Sequence, residues 1–225
     1  MSKIPINDPE RLISKPRKVL LKGFHAREIH SDPYIVKIKN LLSDEEIEEL
    51  LKLAKGRFER SNLMVDGELV VNHTRTSSTA FIMDDGLPDN YGKILERMIE
   101  RICYLVNCKR EQLEVMCVRY KTGEKFDSHV DYFDDHEIDV LDQGGQRIAT
   151  FFVYLNTLHG SGGETEFTKL GIKSKPRKGA AVFWWNRDPK TKKMLPSTEH
   201  RGNPVEKEGV VKYGLNIWIR EKSFY

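Results

Sequence analysis

The sequence has too few cysteines for a disulfide framework. Cys103, Cys108 and Cys117 are the only three in 225 residues, an odd and sparse count for a stapled secreted scaffold. Cys103 and Cys108 stand on a predicted helix at a spacing that does not share a face, so all three read as free, buried or half-buried thiols. A reducing, cytoplasmic compartment is the expectation. No apolar run approaches the length of a membrane span, and the N-terminus has no apolar signal core. The acceptor pattern Asn72-His73-Thr74 is therefore expected to be idle. Neither sign of charge dominates: 37 basic and 34 acidic side chains leave +3 at pH 7. No stripe of basic and aromatic residues suggests nucleic acid as a partner. No internal repeat is present, and the length suits one domain.

The pattern that is present reads as an arm followed by a folded domain. Residues 1–31 are polar and basic, carry Pro5, Pro9 and Pro16, and show no sustained period. Residues 32–225 form the domain. A first strand is expected over 33–40. Ser43 then caps a helix with Glu46 as its capping-box partner. Ile47, Leu50, Leu51 and Ala54 make its apolar stripe, and Gly56 stops it. Residues 69–83 look extended. A second helix starts near Pro88, and Tyr91, Ile94, Leu95, Met98, Ile99, Ile102, Leu105 and Val106 repeat at helical spacing as a core-facing stripe. Strands follow over 113–120, 147–156, 164–167, 180–185 and 210–220, separated by Gly-rich or charged turns. Two helices and then many short strands indicate an α+β fold, a two-sheet barrel or jelly roll packed on helices. The polar stretches 60–75 and 132–146 are candidates for loops that fold over a site.

His129-Val130-Asp131, answered far downstream by His200, is the feature that carries chemistry. Two imidazoles and one carboxylate are the ligand set that holds non-haem Fe(II) on one face and leaves the other open to a co-substrate and dioxygen. On a strand, residues two apart share a face, and His200 must arrive from a strand laid alongside. The bland alternative is an ordinary surface His and Asp. His136 is a rival third ligand, but Asp134-Asp135-His136-Glu137 reads as a solvated loop. His25, His30, His73 and His159 have no partner pattern. A 2-oxo acid chelating such an iron leaves a distal carboxylate in the pocket, which needs a cation and hydroxyl donors. Lys212, opening the last strand, fits as the cation, with Tyr120 and Thr165 as hydroxyls. Lys207, in a charged turn, is the alternative, and Arg220 lies too near the strand end. Trp218 is open to two readings, core packing or the site wall.

Several segments in order carry a resemblance. Tyr120-x-x-Gly123-x-x-Phe126-x-x-His129-x-Asp131 resembles the signature of the prolyl 4-hydroxylase branch of the Fe(II)/2-oxoglutarate-dependent dioxygenases. The segments 146–156 (QRIATFFVYLN), 162–167 (GGETEF) and 178–184 (KGAAVFW) are similar to that family's core strands. The closing elements His200, Pro204-Val205, Lys212 and Asn216-Ile217-Trp218-Ile219 are similar as well. Arg75-Thr76-Ser77 resembles its substrate-side segment. The resemblance spans residues 33–221 and departs at Phe126, where Tyr is frequent, at Thr168, where Pro is common, and in a longer His-to-Lys interval.

The resemblance implies a double-stranded β-helix with helices packed on one side. It implies Fe(II) held by His129, Asp131 and His200, and 2-oxoglutarate held by Lys212, Tyr120 and Thr165. Ascorbate is the expected auxiliary reductant. Arg75, Ser77 and Trp218 would meet a proline-containing peptide or protein, hydroxylated with dioxygen to release succinate and CO2. The alternatives are the same chemistry on a free amino acid or another side chain, a non-catalytic peptide-binding module on this fold, and a zinc hydrolase using the same ligands.

Overall fold

A computed structural model describes residues 25–65, 68–82, 92–134 and 136–224. In chain order the elements begin with β1 (His25–Ser31), β2 (Tyr34–Lys39), α1 (Asp44–Ala54), β3 (Glu59–Arg60), β4 (Asn62–Val65), β5 (Glu68–Val71), β6 (Ser78–Phe81) and α2 (Gly92–Val106). They continue with β7 (Leu113–Tyr120), β8 (Phe126–His129), α3 (Ile138–Asp142), β9 (Arg147–Tyr154), β10 (Thr165–Phe167), β11 (Ile172–Ser174), β12 (Ala181–Trp185), β13 (His200–Gly202) and β14 (Lys212–Arg220). An eight-stranded sheet runs β1-β2-β12-β9-β14-β7-β6-β3. A four-stranded sheet, β11-β10-β13-β8, faces it, and β4-β5 is a separate hairpin. This is the jelly roll with helices on one side that the sequence predicts. No helix among the described residues is long and apolar enough to cross a membrane.

Strand alternation divides the large sheet into two apolar faces. One face, with Val36, Ile38, Phe151, Val153, Phe183, Leu215 and Ile217, packs under Ile47 and Leu50 of α1 and Met98 and Ile102 of α2. The other, with Ile35, Phe152, Tyr154, Trp184 and Trp218, turns toward Phe167 of the small sheet. Each large side chain buried on either face contributes about 1.5–3 kcal/mol. The helix cap is the one read from sequence. Glu46 N donates to Ser43 Oγ at 3.2 Å, and Ser43 N donates to the Glu46 carboxylate at 2.9 Å. Arg101 of α2 forks onto that carboxylate at 2.8 and 2.9 Å, locking the two helices together. Gly179 ties β12 to the turn before α1: its carbonyl accepts from Leu41 N and Leu42 N at 2.7 and 3.2 Å. Its φ of +76° and a Cβ position only 2.7 Å from the Leu42 carbonyl oxygen leave room for glycine alone.

Several local expectations change. Residues 25–31, read as the end of an arm, pair antiparallel with β2 as the edge strand β1. Their charged sequence hides the alternation. Residues 1–24 lie outside the described residues, as do Pro88 and Tyr91. The extended stretch from 69 is two strands, parted by a turn in which Asn72 Oδ1 accepts from Thr74 N at 3.0 Å. Cys103 and Cys108 do meet: Asn107 turns left-handed with φ 49°, and Cys108 N donates to the Cys103 carbonyl at 3.1 Å.

Candidate active site

The small sheet and the large sheet meet at the His129–Asp131–His200 cluster. His129 ends β8 and His200 begins β13, and the two are directly paired across the ladder. Asp131 lies just past β8. One donor atom from each residue lies within 4.8 Å of the others. His129 Nε2 is 3.6 Å and His200 Nε2 3.8 Å from the Asp131 carboxylate. Each imidazole is oriented by its far nitrogen. His129 Nδ1 bonds the Asp127 carbonyl at 2.8 Å, and His200 Nδ1 bonds the Thr198 carbonyl at 3.0 Å. A carbonyl only accepts, so both Nδ1 atoms carry the proton, and both Nε2 lone pairs point into the cluster. Asp131 Oδ2 accepts from Thr150 Oγ1 at 2.7 Å, and Thr150 Oγ1 accepts from Asn186 Nδ2 at 2.9 Å. Phe126 stacks on the His129 ring at 3.6 Å. His136 sits apart, exposed in a turn.

Electrostatics favour a cation here. Burial works to raise the Asp131 pKa. The two imidazoles and the Thr150 hydroxyl outweigh it and hold the carboxylate well below its usual range. Burial, reinforced by the neighbouring His129, pushes His200 down to about 4. The result is an ionised carboxylate beside a neutral imidazole, the protonation state a divalent metal requires.

A pocket runs inward from the cluster, lined by Tyr120, Phe152, Thr165, Trp184, Asn216 and Lys212 among others. Lys212 opens β14 opposite Tyr120 and is 1% exposed. Its Nζ lies 4.8 Å from the ring centres of both Tyr120 and Phe152. Among the described residues no carboxylate lies within ion-pair distance of it. Burial pushes it down to about 7, with the more distant Glu164 opposing. Tyr154 Oη donates to the Ser174 carbonyl at 2.8 Å and lies 2.9 Å from Thr165 Oγ1. Gly163, with φ +73°, lets the backbone pass the Lys212 stem; a Cβ there would stand 3.2 Å from Lys212 Cδ. Lys207, the alternative cation, is exposed.

Outward from the cluster lies an open groove of about 1110 Å³. Arg75, Phe126, His129, Asp131, Arg147 and Trp218 line it. The stretches 60–75 and 132–146 both border it; the second holds the short helix α3. Arg75 is buried against Phe126, its guanidinium 4.8 Å from the ring centre. Trp218 forms wall, and its Nε1 is buried with no hydrogen-bond partner among the described residues. Ser77 does not reach the groove: it is fully buried, bonded to Ser61 Oγ at 2.8 Å and to Arg75 Nε at 3.4 Å. Its hydroxyl turns away from the groove to meet the Ser61 side chain, beneath Arg75.

Arg147 is the groove residue that sequence reasoning missed. Its guanidinium stacks 3.7 Å above Trp218 and 4.6 Å from Phe133. It is clamped by buried Glu114, which also takes Arg220 at 3.1 Å. Simple alternation from Phe151 and Ala149 would send Arg147 to the helix side. A register shift next to Ile219 opposes Ala149 to Ile219 and Arg147 to Arg220, and the bulge swings Arg147 onto the groove. Thr150 and Asn186 were missed too. Their only signal was polarity at buried strand positions.

A family model described as the 2OG-Fe(II) oxygenase superfamily matches residues 115–220. Two Arabidopsis thaliana proteins, "Probable prolyl 4-hydroxylase 6" and "Prolyl 4-hydroxylase 2", are each 32% identical to the chain. The first match covers 96% of this chain and 74% of the relative, the second 95% and 75%. A solved structure of the viral collagen prolyl hydroxylase from Paramecium bursaria Chlorella virus-1, in its 2OG complex, matches with a TM-score of 0.62 at 30% identity. That match covers 83% of this chain and 95% of the other.

Proposed function

The chain belongs to the prolyl 4-hydroxylase branch of the 2OG-Fe(II) oxygenase superfamily, and from that premise we propose that it hydroxylates a prolyl residue within a peptide or protein. The observation that carries the reading is one line of sites: a buried lysine with no carboxylate partner among the described residues, a His-Asp-His cluster, and an open aromatic groove. Fe(II) with 2-oxoglutarate supplies the oxidising power, coupling dioxygen reduction and loss of CO2, with succinate left, to insertion of oxygen at a C–H bond. The donor set fits that metal, and the buried lysine and hydroxyls lining the pocket suit that co-substrate's distal carboxylate.

In this reading His129, Asp131 and His200 hold the metal through two Nε2 atoms and one carboxylate. The Asp127 and Thr198 carbonyls and Thr150 keep these ligands in orientation. Lys212 meets the distal carboxylate of 2-oxoglutarate, and Thr165 and Tyr120 shape that end of the pocket. The lysine is already desolvated, so it gives a strong charge-assisted bond without further loss of water. Phe126, Phe152 and Trp184 exclude water from the reacting centre.

The groove suits a proline-rich chain. Such a chain enters as an extended helix already ordered, so it loses little entropy, and its carbonyls have no internal partners. The Arg147–Trp218 stack and Arg75 over Phe126 form flat walls against which a pyrrolidine ring packs, holding its C–H bond toward the metal. The test is succinate formation by protein loaded anaerobically with Fe(II), with and without a proline-rich peptide, followed by peptide mass. Peptide-stimulated turnover and a gain of one oxygen, both absent in His129→Ala, are expected. Turnover indifferent to peptide overturns the substrate. Absence of turnover with iron and 2-oxoglutarate bound overturns the enzyme in favour of a binding module.

A further inference from the structure

A second cavity, of about 850 Å³, lies at the other end of β12 and shares no lining residue with the pocket or the groove. Ala180 borders it, whereas Trp184 lies against His200. The intervening four strand positions span about 13 Å. Basic side chains predominate in its walls: His25, Arg27, Lys37, Lys39, Arg177 and Lys178. Ile29, Asn40, Thr157 and Ala180 complete the lining.

The backbone forces these charges together. Residues two apart share a face, so Lys37 and Lys39 of β2 project with Ile35 toward the inner side of the large sheet. Arg27 is directly opposite Lys37, and His25 directly opposite Lys39. Like charges directly opposite on antiparallel strands destabilise the pair. The turn Lys175–Lys178 adds its cations from the other side. Among the described residues the one carboxylate in ion-pair contact with the wall is Asp44, 2.7 Å from Lys178. Glu28 takes the opposite pleat from Arg27. Lys37 is half-buried, and its pKa is lowered by burial first and then by Arg177, Lys39, Arg27 and Lys175. Folding therefore gathers cations at a cost that, among the described residues, Asp44 alone offsets, and only at Lys178.

We propose that this cavity is a binding site for a small, multiply charged phosphate compound, a polyphosphate or polyphosphorylated metabolite. Several charges on a compact ligand match several cations around one cavity. The guanidinium forks of Arg27 and Arg177 match phosphate oxygens bidentately. The volume is that of a small-ligand site. Among the described residues no Phe, Tyr or Trp lines it, so a nucleic-acid strand would find little stacking platform.

The test is calorimetric titration of the metal-free full-length chain with tripolyphosphate, with inositol hexakisphosphate and ATP as further arms that separate an inorganic chain from a phosphorylated metabolite. Saturable, salt-sensitive binding is expected. The Arg27→Glu/Arg177→Glu variant should lose about tenfold or more per reversed charge, while the Lys52→Glu/Lys55→Glu variant, equal in net charge, keeps it. Succinate-forming activity should be unchanged in both. As a second readout, Arg27→Gln relieves the pair with Lys37 and should raise the Tm of the anion-free protein while shrinking the Tm gain from tripolyphosphate. The proposal is overturned by equal weakening in the two charge-reversal variants, by no saturable binding, or by hexaglutamate binding more tightly than every phosphate probe, which would assign the cavity to an acidic peptide.

Discussion

Replacing Lys212 by methionine should make the metal-free protein more stable and unable to hold 2-oxoglutarate. The stem of a methionine fills nearly the same space, so packing against Tyr120 and Phe152 is kept and the charge alone is lost. The fall from 10.5 to about 7 corresponds to about 5 kcal/mol, at about 1.4 kcal/mol per tenfold. That is the cost of keeping the folded lysine charged. The unfolded chain holds this proton up to about 10.5 and the folded chain only up to about 7. Between those values the unfolded state binds more protons, so wild-type stability rises with pH. Below 7 the full cost applies. The stability gain of Lys212→Met should thus be largest, up to about 4 kcal/mol, at neutral pH and below, and should shrink steadily toward pH 10. At about 2–4 °C per kcal/mol for a chain of this size, the Tm at pH 7 should rise by roughly 8–16 °C. Loss of one partner from a buried charge pair costs about 3–5 kcal/mol, so 2-oxoglutarate affinity should fall at least a hundredfold. At pH 8 the wild-type protein should take up close to one proton on binding 2-oxoglutarate, read by calorimetry in buffers of different ionisation enthalpy. A variant that melts below wild type, or one that keeps 2-oxoglutarate affinity within about tenfold, would refute the reasoning.

Thr150→Val removes the 2.7 Å bond to Asp131 and should weaken metal binding about 10–100-fold, measured by Mn(II) titration, with peptide KM unchanged at saturating metal. Arg147→Ala leaves Glu114 its bond to Arg220 at 3.1 Å, so the fold should survive; steady-state kinetics should show peptide KM up by about tenfold or more and 2-oxoglutarate KM unmoved. Gly179→Ala brings a Cβ to 2.7 Å from the Leu42 carbonyl at φ +76° and should cost about 1–3 kcal/mol in urea unfolding without changing the activity of the folded enzyme.

The core was easier to read than the site. The α1 stripe and its cap are local patterns, and β7 occupies 113–120 as expected, because Val115, Met116, Cys117 and Val118 make a short apolar run. The small sheet was harder. Its strands are three or four residues long and spend their positions on His129, Thr165 and His200, leaving little hydrophobic signal. His129, Asp131, His200 and Lys212 stood out by residue type and order. Arg147 did not, because its face depends on a bulge that only pairing with β14 reveals. Ser77 was named for its motif, yet its direction is set by Ser61, far away in sequence. The meeting of Cys103 and Cys108 depends on one left-handed residue, Asn107, that helical spacing ignores.

The cross-ladder pairing of His129 with His200, with Asp131 tethered to Thr150 on the large sheet, gives a metal held there a second consequence. It would act as a rivet through three segments that are otherwise joined by short ladders. By mass action, metal at a hundred times its dissociation constant adds about 2.7 kcal/mol to folding. That gain should be concentrated where the rivet sits, so amide exchange in the small sheet should slow on loading far more than exchange under α1 and α2. Iron scarcity would then be felt first as local opening of β8 and β13. Loss of metal would shorten the protein's lifetime against proteases as well as stop its chemistry.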